Sequence, residues 1–266
     1  MASWRFTILG CGSSGGVPRL GGDWGECDPT DRRNRRRRCS MLVERHTEAG
    51  VTRVLIDTSP DMREQLLDAG VGTLDGVAFT HGHADHTHGI DDLRQVVFNM
   101  RRRLPVWADV QTQTDLISRF GYAFVQPADS PYPPILDLNS ITHAPFVVSG
   151  QGGPVTLIPF QVGHGTIEAL GFRIGPLAYI PDAVSLPEAA WNQITAVPCL
   201  VVDALRRKPH PTHAHLAMTL DWIARARPGH AVLTNMHLDM DYMTLCNELP
   251  KGVEPAYDGL VLHFEA

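Results

Sequence analysis

The stretch Thr80-His81-Gly82-His83-Ala84-Asp85-His86 limits this chain's options more than any other. Four side chains able to bind a metal fall within six positions, in a chain with 13 histidines among 266 residues. Val77-Ala78-Phe79-Thr80 reads as a short buried strand, so the run begins where a strand ends. Gly82 and Ala84 are small enough for a tight loop that turns the imidazoles inward. Imidazole nitrogen and carboxylate oxygen together suit zinc, iron or manganese. Such a run can divide its donors, His81 and His83 to one ion, Asp85 and His86 to a second. Paired ions about 3.5–4 Å apart can clamp the attacking and leaving oxygens of a displacement.

Further candidates close other apolar, branched runs: Asp57 after Val54-Leu55-Ile56, His164 after Phe160-Gln161-Val162-Gly163, Asp182 after Leu177 to Pro181, and His237 after Val232 to Met236. A single histidine at such a place is more often a surface or core residue. The set, each at the end of a strand pattern, points instead to one lined sheet rim.

The pattern resembles that of the metallo-β-lactamase superfamily, whose signature is His-x-His-x-Asp-His after a strand. The resemblance implies a four-layer αββα sandwich of α/β class with two divalent ions, zinc or manganese, at one edge. It implies that His81, His83 and His164 hold one ion, that Asp85, His86 and His237 hold the other, and that Asp182 bridges. Asp57 then stands behind the ligands, accepting the far N–H of a ligating histidine. One departure is plain: many members place histidine directly after the threonine, where this chain has Asn235, so His237 is taken as the last ligand.

Composition bounds the rest. With 43% hydrophobic and 20% charged residues, the chain has ample core and is expected to form a single domain over residues 1–266. No apolar run approaches the roughly 18–20 residues of a membrane span. The start, Met1-Ala2-Ser3-Trp4-Arg5-Phe6, lacks a secretory pattern, and five scattered cysteines fit a reducing, cytoplasmic setting. A net charge of −6 speaks against nucleic acid as partner, the local exception being the basic run Arg32 to Arg38. The resemblance implies a small phosphorylated substrate as partner; no membrane is expected, and a homodimer is compatible with all of this.

Periodicity predicts strands over Trp4–Leu9, Met41–Arg45 and Thr52–Ile56, helices over Asp61–Ala69 and Gly89–Arg103, a strand over Pro105–Ala108 and a helix over Thr112–Tyr122. The proline-crowded Gln126–Asn139 reads as a loop. A strand-rich stretch follows from Ile141 to Ile180. Helices are expected near Pro187–Ile194, Ala214–Ala226 and Tyr242–Glu248, and strands near Cys199–Val202, Ala231–Thr234 and Leu260–Phe264.

Within the superfamily, Gly10-x-Gly12-x-x-Gly15-Gly16-Val17-Pro18, the loop ending Arg38-Cys39-Ser40, Ile90-Asp91-Asp92-Leu93-Arg94 and the Pro181–Glu188 segment resemble the phosphodiesterases of bacterial phosphonate breakdown. Those enzymes open 5-phosphoribosyl 1,2-cyclic phosphate. The resemblance implies a phosphodiesterase acting on a small cyclic or nucleotide-like phosphodiester. Asp85 and Asp182 would serve at the metals, and His213, just before a helix, would protonate the leaving oxygen. Only Cys27 remains of a cysteine-rich zinc loop known in these relatives, so no structural zinc is expected there. The glycine-rich start reads as a tight turn, with Ser13 and Ser14 as substrate-facing hydroxyls. Arg38 and Arg94 are candidate phosphate binders and His215 a further substrate contact, although a helix-start role suits His215 slightly better. Rival readings are RNA 3′-end processing, thioester or lactam hydrolysis on the same scaffold, and a non-catalytic metal-dependent carrier.

Overall fold

The computed structural model describes residues 2–265, and the chain divides into two compact units. The first comprises residues 2–9, 40–156 and 261–265; the second comprises 10–39 and 157–260.

In the first unit, branched and apolar residues build β1 (Ser3–Gly10), β2 (Ser40–Thr47), β3 (Gly50–Ile56), β4 (Gly76–Ala78), β5 (Leu104–Ala108), β6 (Leu136–Ser140) and β14 (Val261–Glu265). They form one sheet in the order β14-β1-β2-β3-β4-β5-β6. The β2–β3 hairpin is antiparallel, whereas β3, β4, β5 and β6 run parallel. Parallel strands need crossovers, and helices supply them: α1 (Met62–Asp68), α2 (Ala84–Thr87), α3 (Leu93–Met100) and α4 (Val110–Phe124). Asp109 caps α4 by accepting the Thr112 N–H, which fixes where the chain turns after β5. Leu55, Val77, Phe79 and Val106 from the sheet side meet Met62, Leu66, Leu93, Val96 and Leu116 from the helices in one buried cluster. Each large apolar side chain hidden there contributes about 1.5–3 kcal/mol. The short strand β7 (Phe146–Val148) belongs to the same unit.

The second unit holds β8 (Val155–His164), β9 (Ile167–Ile174), β10 (Leu177–Ile180), β11 (Cys199–Asp203), β12 (His230–Thr234) and β13 (Val253–Pro255), ordered β13-β12-β11-β10-β9-β8. The β8–β9–β10 pairings are antiparallel and β10 through β13 are parallel. Strands β8, β10, β11 and β12 therefore all point the same way. Their C-terminal ends deliver His164, Asp182, Asp203 and Asn235 to one rim. Helices α5 (Glu188–Ile194), α6 (Leu216–Ala226) and α7 (Tyr242–Glu248) complete the unit.

The loop from Gly10 to Cys39 is sewn onto this unit. Gly12 donates to Arg37 O at 2.7 Å, and Ser13 N to Met236 O at 3.2 Å. A Cβ on Gly12 would lie 2.8 Å from Arg36 Cβ, so only glycine fits this crossing. Arg36 is itself buried. Its guanidinium donates to Met240 O (2.6 Å), Asn34 Oδ1 (3.2 Å) and His237 O (3.4 Å), and lies 3.7 Å from Cys27 Sγ.

Three element expectations need correction. The loop expected over Gln126–Asn139 ends in strand β6: its prolines all precede Leu136, leaving Leu136 and Leu138 free to pair beside β5. The helix expected over Gly89–Arg103 begins as a 3-10 turn at Ile90–Asp92 and ends at Met100, because Arg101 takes the left-handed conformation (φ 55°). The tight loop expected at Ala84 forms the one-turn helix α2. Strand β13 was not foreseen.

Candidate active site

In the first unit, the ends of the parallel strands β3 and β4 bring together the residues expected there. Asp57 follows β3 in the left-handed conformation (φ 62°) and is wholly buried. Its carboxylate accepts the Thr80 N–H (2.8 Å), the Thr80 hydroxyl (2.7 Å) and His86 Nδ1 (2.7 Å). Burial pushes its pKa up, with His86 as the main opposing influence. The Nδ1 proton of His86 is thereby pinned, and its Nε2 faces Asp85 Oδ2 at 3.6 Å. His81 Nε2 and His83 Nδ1 converge to 3.0 Å, and the His81 and His86 rings lie 4.3 Å apart. His81 and His86 are buried, whereas His83 is exposed at the rim.

In the second unit, His164, Asp182 and His213 each offer a ligand atom, all within 4.8 Å of one another. Backbone and carboxylate contacts fix the tautomers. His164 Nδ1 donates to Thr212 O at 2.8 Å, and its Nε2 lies 3.6 Å from Asp182 Oδ2. His213 Nδ1 lies 2.8 Å from Asp203 Oδ2 and 3.1 Å from the Asn235 amide nitrogen. Burial raises the Asp203 pKa, opposed by the His213 contact. The amide of Asn235 donates to Asp182 Oδ1 (3.4 Å) and Asp203 Oδ1 (3.3 Å).

His237 lies outside that group. A guanidinium can only donate, so the contact between Arg19 and His237 makes Nε2 the acceptor. The ring proton then sits on Nδ1, 3.4 Å from Asp239 Oδ1.

The remaining expected contacts are dispersed. Ser13 is buried and Ser14 exposed, at a turn in which Gly16 N donates to Ser13 O. Arg38 reaches the same turn, its Nη1 3.9 Å from where a Cβ on Gly16 would be. Arg94 pairs with Asp91 at 3.0 Å and lies over Tyr122, in the first unit. His215 occupies the N-cap of α6 without a side-chain capping bond. Sequence reasoning missed Asp203, although Cys-Leu-Val-Val-Asp repeats the strand-then-acid pattern of Asp57. It also missed Thr80 and Thr212, whose roles use an amide, a hydroxyl and a carbonyl.

These donors fit divalent ions: imidazoles oriented through one nitrogen by a carboxylate or a carbonyl, beside buried carboxylates. A rim of this kind on α/β units of mixed sheet is the donor pattern of the metallo-β-lactamase type. A family profile described as "Beta-lactamase superfamily domain" matches residues 52–236, and the chain belongs to that superfamily, whose fold is the expected αββα sandwich. A crystal structure of a new diphosphatase from the PhnP family is similar along the whole chain, at 34% identity, covering 99% of this chain and 98% of that one with a TM-score of 0.88. An octanoyltransferase of Porphyromonas gingivalis (strain ATCC BAA-308 / W83) is 34% identical over 264 residues, 96% of this chain, which spans only 51% of that relative. A ribonuclease Z of Bradyrhizobium sp. (strain ORS 278) is 30% identical over 134 residues, 47% of this chain and 41% of its own. Among the described residues no helix is long and apolar enough to cross a membrane.

Proposed function

We propose that the protein hydrolyses a phosphodiester or phosphoanhydride bond in a small phosphorylated substrate, using two divalent ions, zinc or manganese. The candidate ligands are His81, His83, Asp85 and His86 in the first unit, and His164 and Asp182 in the second. Bound ions would lower the pKa of water to about 7 and neutralise the phosphoryl oxygens. Asp57 keeps His86 in the ligating tautomer, and the Thr212 carbonyl does the same for His164. Asn235 steadies Asp182 and Asp203 together. His213, held through Nδ1 by Asp203, presents Nε2 as the acid for the leaving oxygen; such help is worth typically 10²–10⁴-fold.

One observation carries this reading: His213, outside the contiguous histidine run, stands beside His164 and Asp182 with its own orienting carboxylate. The whole-length likeness to a diphosphatase supports it. A second reading, hydrolysis of an acyl ester or thioester on the same machinery, draws on the octanoyltransferase relative, about half of whose length this chain spans.

Metal-loaded protein assayed against bis-p-nitrophenyl phosphate, 5-phosphoribosyl 1,2-cyclic phosphate, a dinucleoside diphosphate, a pre-tRNA and an octanoyl thioester separates these readings. Turnover of the cyclic phosphate or diphosphate above the others is expected. Preference for the thioester would transfer the assignment to acyl chemistry.

A further inference from the structure

We infer that His210 is a second catalytic imidazole on the leaving-group side, a neutral donor whose Nε2–H binds the departing oxygen while His213 gives that oxygen its proton. This rests on the phosphodiester reading and adds a residue to it.

The tautomer of His210 is set by the residue two positions on. Thr212 directs its backbone N–H at His210 Nδ1 (3.3 Å), and its hydroxyl lies 3.2 Å from the same atom. A peptide N–H can only donate, so Nδ1 is the acceptor and the proton of the neutral ring sits on Nε2. The carbonyl of the same threonine takes the opposite part toward His164, accepting from Nδ1 at 2.8 Å. One residue thus sets two imidazoles in opposite tautomers. With its Nδ1 lone pair taken and its Nε2 protonated, His210 has nothing to give a metal ion. It can only donate.

The segment that carries His210 is closed and stiff. Leu205 N donates to Ala214 O and Leu216 N to Arg206 O, both at 2.9 Å, which shuts the base of a loop. Arg206 spans the first turn of that loop, donating to Lys208 O (3.1 Å) and Pro209 O (2.6 Å). Prolines flank the histidine: Pro209 has its own φ fixed, and Pro211 holds His210 in extended backbone. Thr212 is seated on Gly165, where a Cβ would come within 2.4 Å of its Cγ2, so the residue after His164 must be glycine. The ring is in place before any substrate arrives.

Its place is beside the acid. The His210 and His213 ring centroids are 5.2 Å apart, and the His213 and His164 centroids 4.6 Å. The next residue, Ala214, ties this group to the Asp182 segment by donating its N–H to Ala183 O at 2.5 Å. His210 is half-buried with Nδ1 turned to Thr212, and among the described residues no group accepts its Nε2–H. A diester cleaved beside Asp182 builds negative charge on the leaving oxygen. A fixed neutral donor stabilises that charge without the repulsion that two imidazolium rings side by side would bring. His210 keeps its proton throughout; the one that ends on the leaving alcohol comes from His213.

The test uses a substitution that separates the turn from the donor. Asparagine also accepts the N–H two residues on, so His210→Asn keeps the turn and removes only Nε2–H. It should lower kcat for 5-phosphoribosyl 1,2-cyclic phosphate by about 10- to 100-fold, as expected for a hydrogen bond to a charged oxygen, with KM little changed. Bis-p-nitrophenyl phosphate, whose leaving group needs no such help, should stay within about threefold. Equal losses on both diesters would overturn the inference. So would full activity in His210→Asn beside a loss in His210→Ala, which would leave His210 only the turn to close. Side-chain nitrogen NMR of the zinc-loaded protein gives a readout independent of hydrolysis. The His210 proton should sit on Nε2, and inorganic phosphate should shift its resonance while His230, paired with Glu254 at the opposite end of β12, stays put. A proton on Nδ1, or an Nε2–H indifferent to phosphate, would overturn the assignment. If neither diester is turned over, the phosphodiester reading fails, and the phosphate response alone decides whether His210 is a donor at the site.

Discussion

Replacing Asp57 by Asn isolates one contribution to the metal rim. Asparagine tolerates the left-handed backbone at this position (φ 62°), so the change removes charge and an acceptor without adding strain. Asp57 accepts three hydrogen bonds, and the amide has two ways to replace it. With its oxygen toward His86, its NH2 faces the Thr80 N–H, donor against donor. With its NH2 toward His86, Nδ1 must become the acceptor, and the ring proton moves to Nε2, the nitrogen needed for a metal. A buried donor left unsatisfied costs about 1–3 kcal/mol, partly offset because the neutral amide escapes the burial penalty that raises the Asp57 pKa. Loss of such an orienting partner typically lowers metal affinity 10- to 100-fold. Urea denaturation of chelator-treated protein should show a loss of about 1–3 kcal/mol. Competition with a chromophoric chelator should show the affinity drop. Affinity within threefold of the parent protein would refute the claim that Asp57 acts through the tautomer of His86.

His213→Ala should slow a diester with an alkoxide leaving group by about 10²–10⁴-fold, change bis-p-nitrophenyl phosphate turnover far less, and leave a leaving-group dependence visible in kcat. Equal losses would assign it to binding or metal retention instead. Asn235→His places an imidazole where the amide contacts Asp182, so titration should show tighter uptake of divalent metal; unchanged uptake would mean this rim position does not face an ion. Burial works to raise the Asp241 pKa, but donors from Thr244, Asp28 and Asn34 bring it down to about 2. Its stabilising effect is therefore present above the ordinary carboxylate pKa and lost as pH falls toward 2. Asp241→Ala should cost about 2 kcal/mol near pH 7, and the gap to the parent protein should close between pH 4 and 2.

The strands that carry the candidate site were legible because the chain repeats one pattern, an apolar branched run closed by Asp or His, at Asp57, His164 and Asp182. Strands of shared direction collect such closing residues at one end of their sheet. Strand β6 escaped notice because prolines crowd the approach to it, and its pairing with β5 depends on residues thirty positions away. His213 was recognised by resemblance, but its partner Asp203 needed the fold, since ten residues of irregular chain separate them. The Arg19–His237 contact was illegible for a simpler reason: 218 positions lie between the two residues, and neither belongs to a periodic element.

The buried guanidinium of Arg36 has a practical consequence for handling the protein. What ties residues 27–36 to the carbonyls of His237 and Met240 is a permanent cation carried by the polypeptide itself. Such a tie neither exchanges with solution nor responds to a chelator. Stripping divalent ions should therefore leave amide hydrogen exchange around Asn34, Arg36 and Met240 slow while the histidine run at 81–86 changes. Depletion and reconstitution can then be repeated on one sample, with that corner of the molecule as an internal standard.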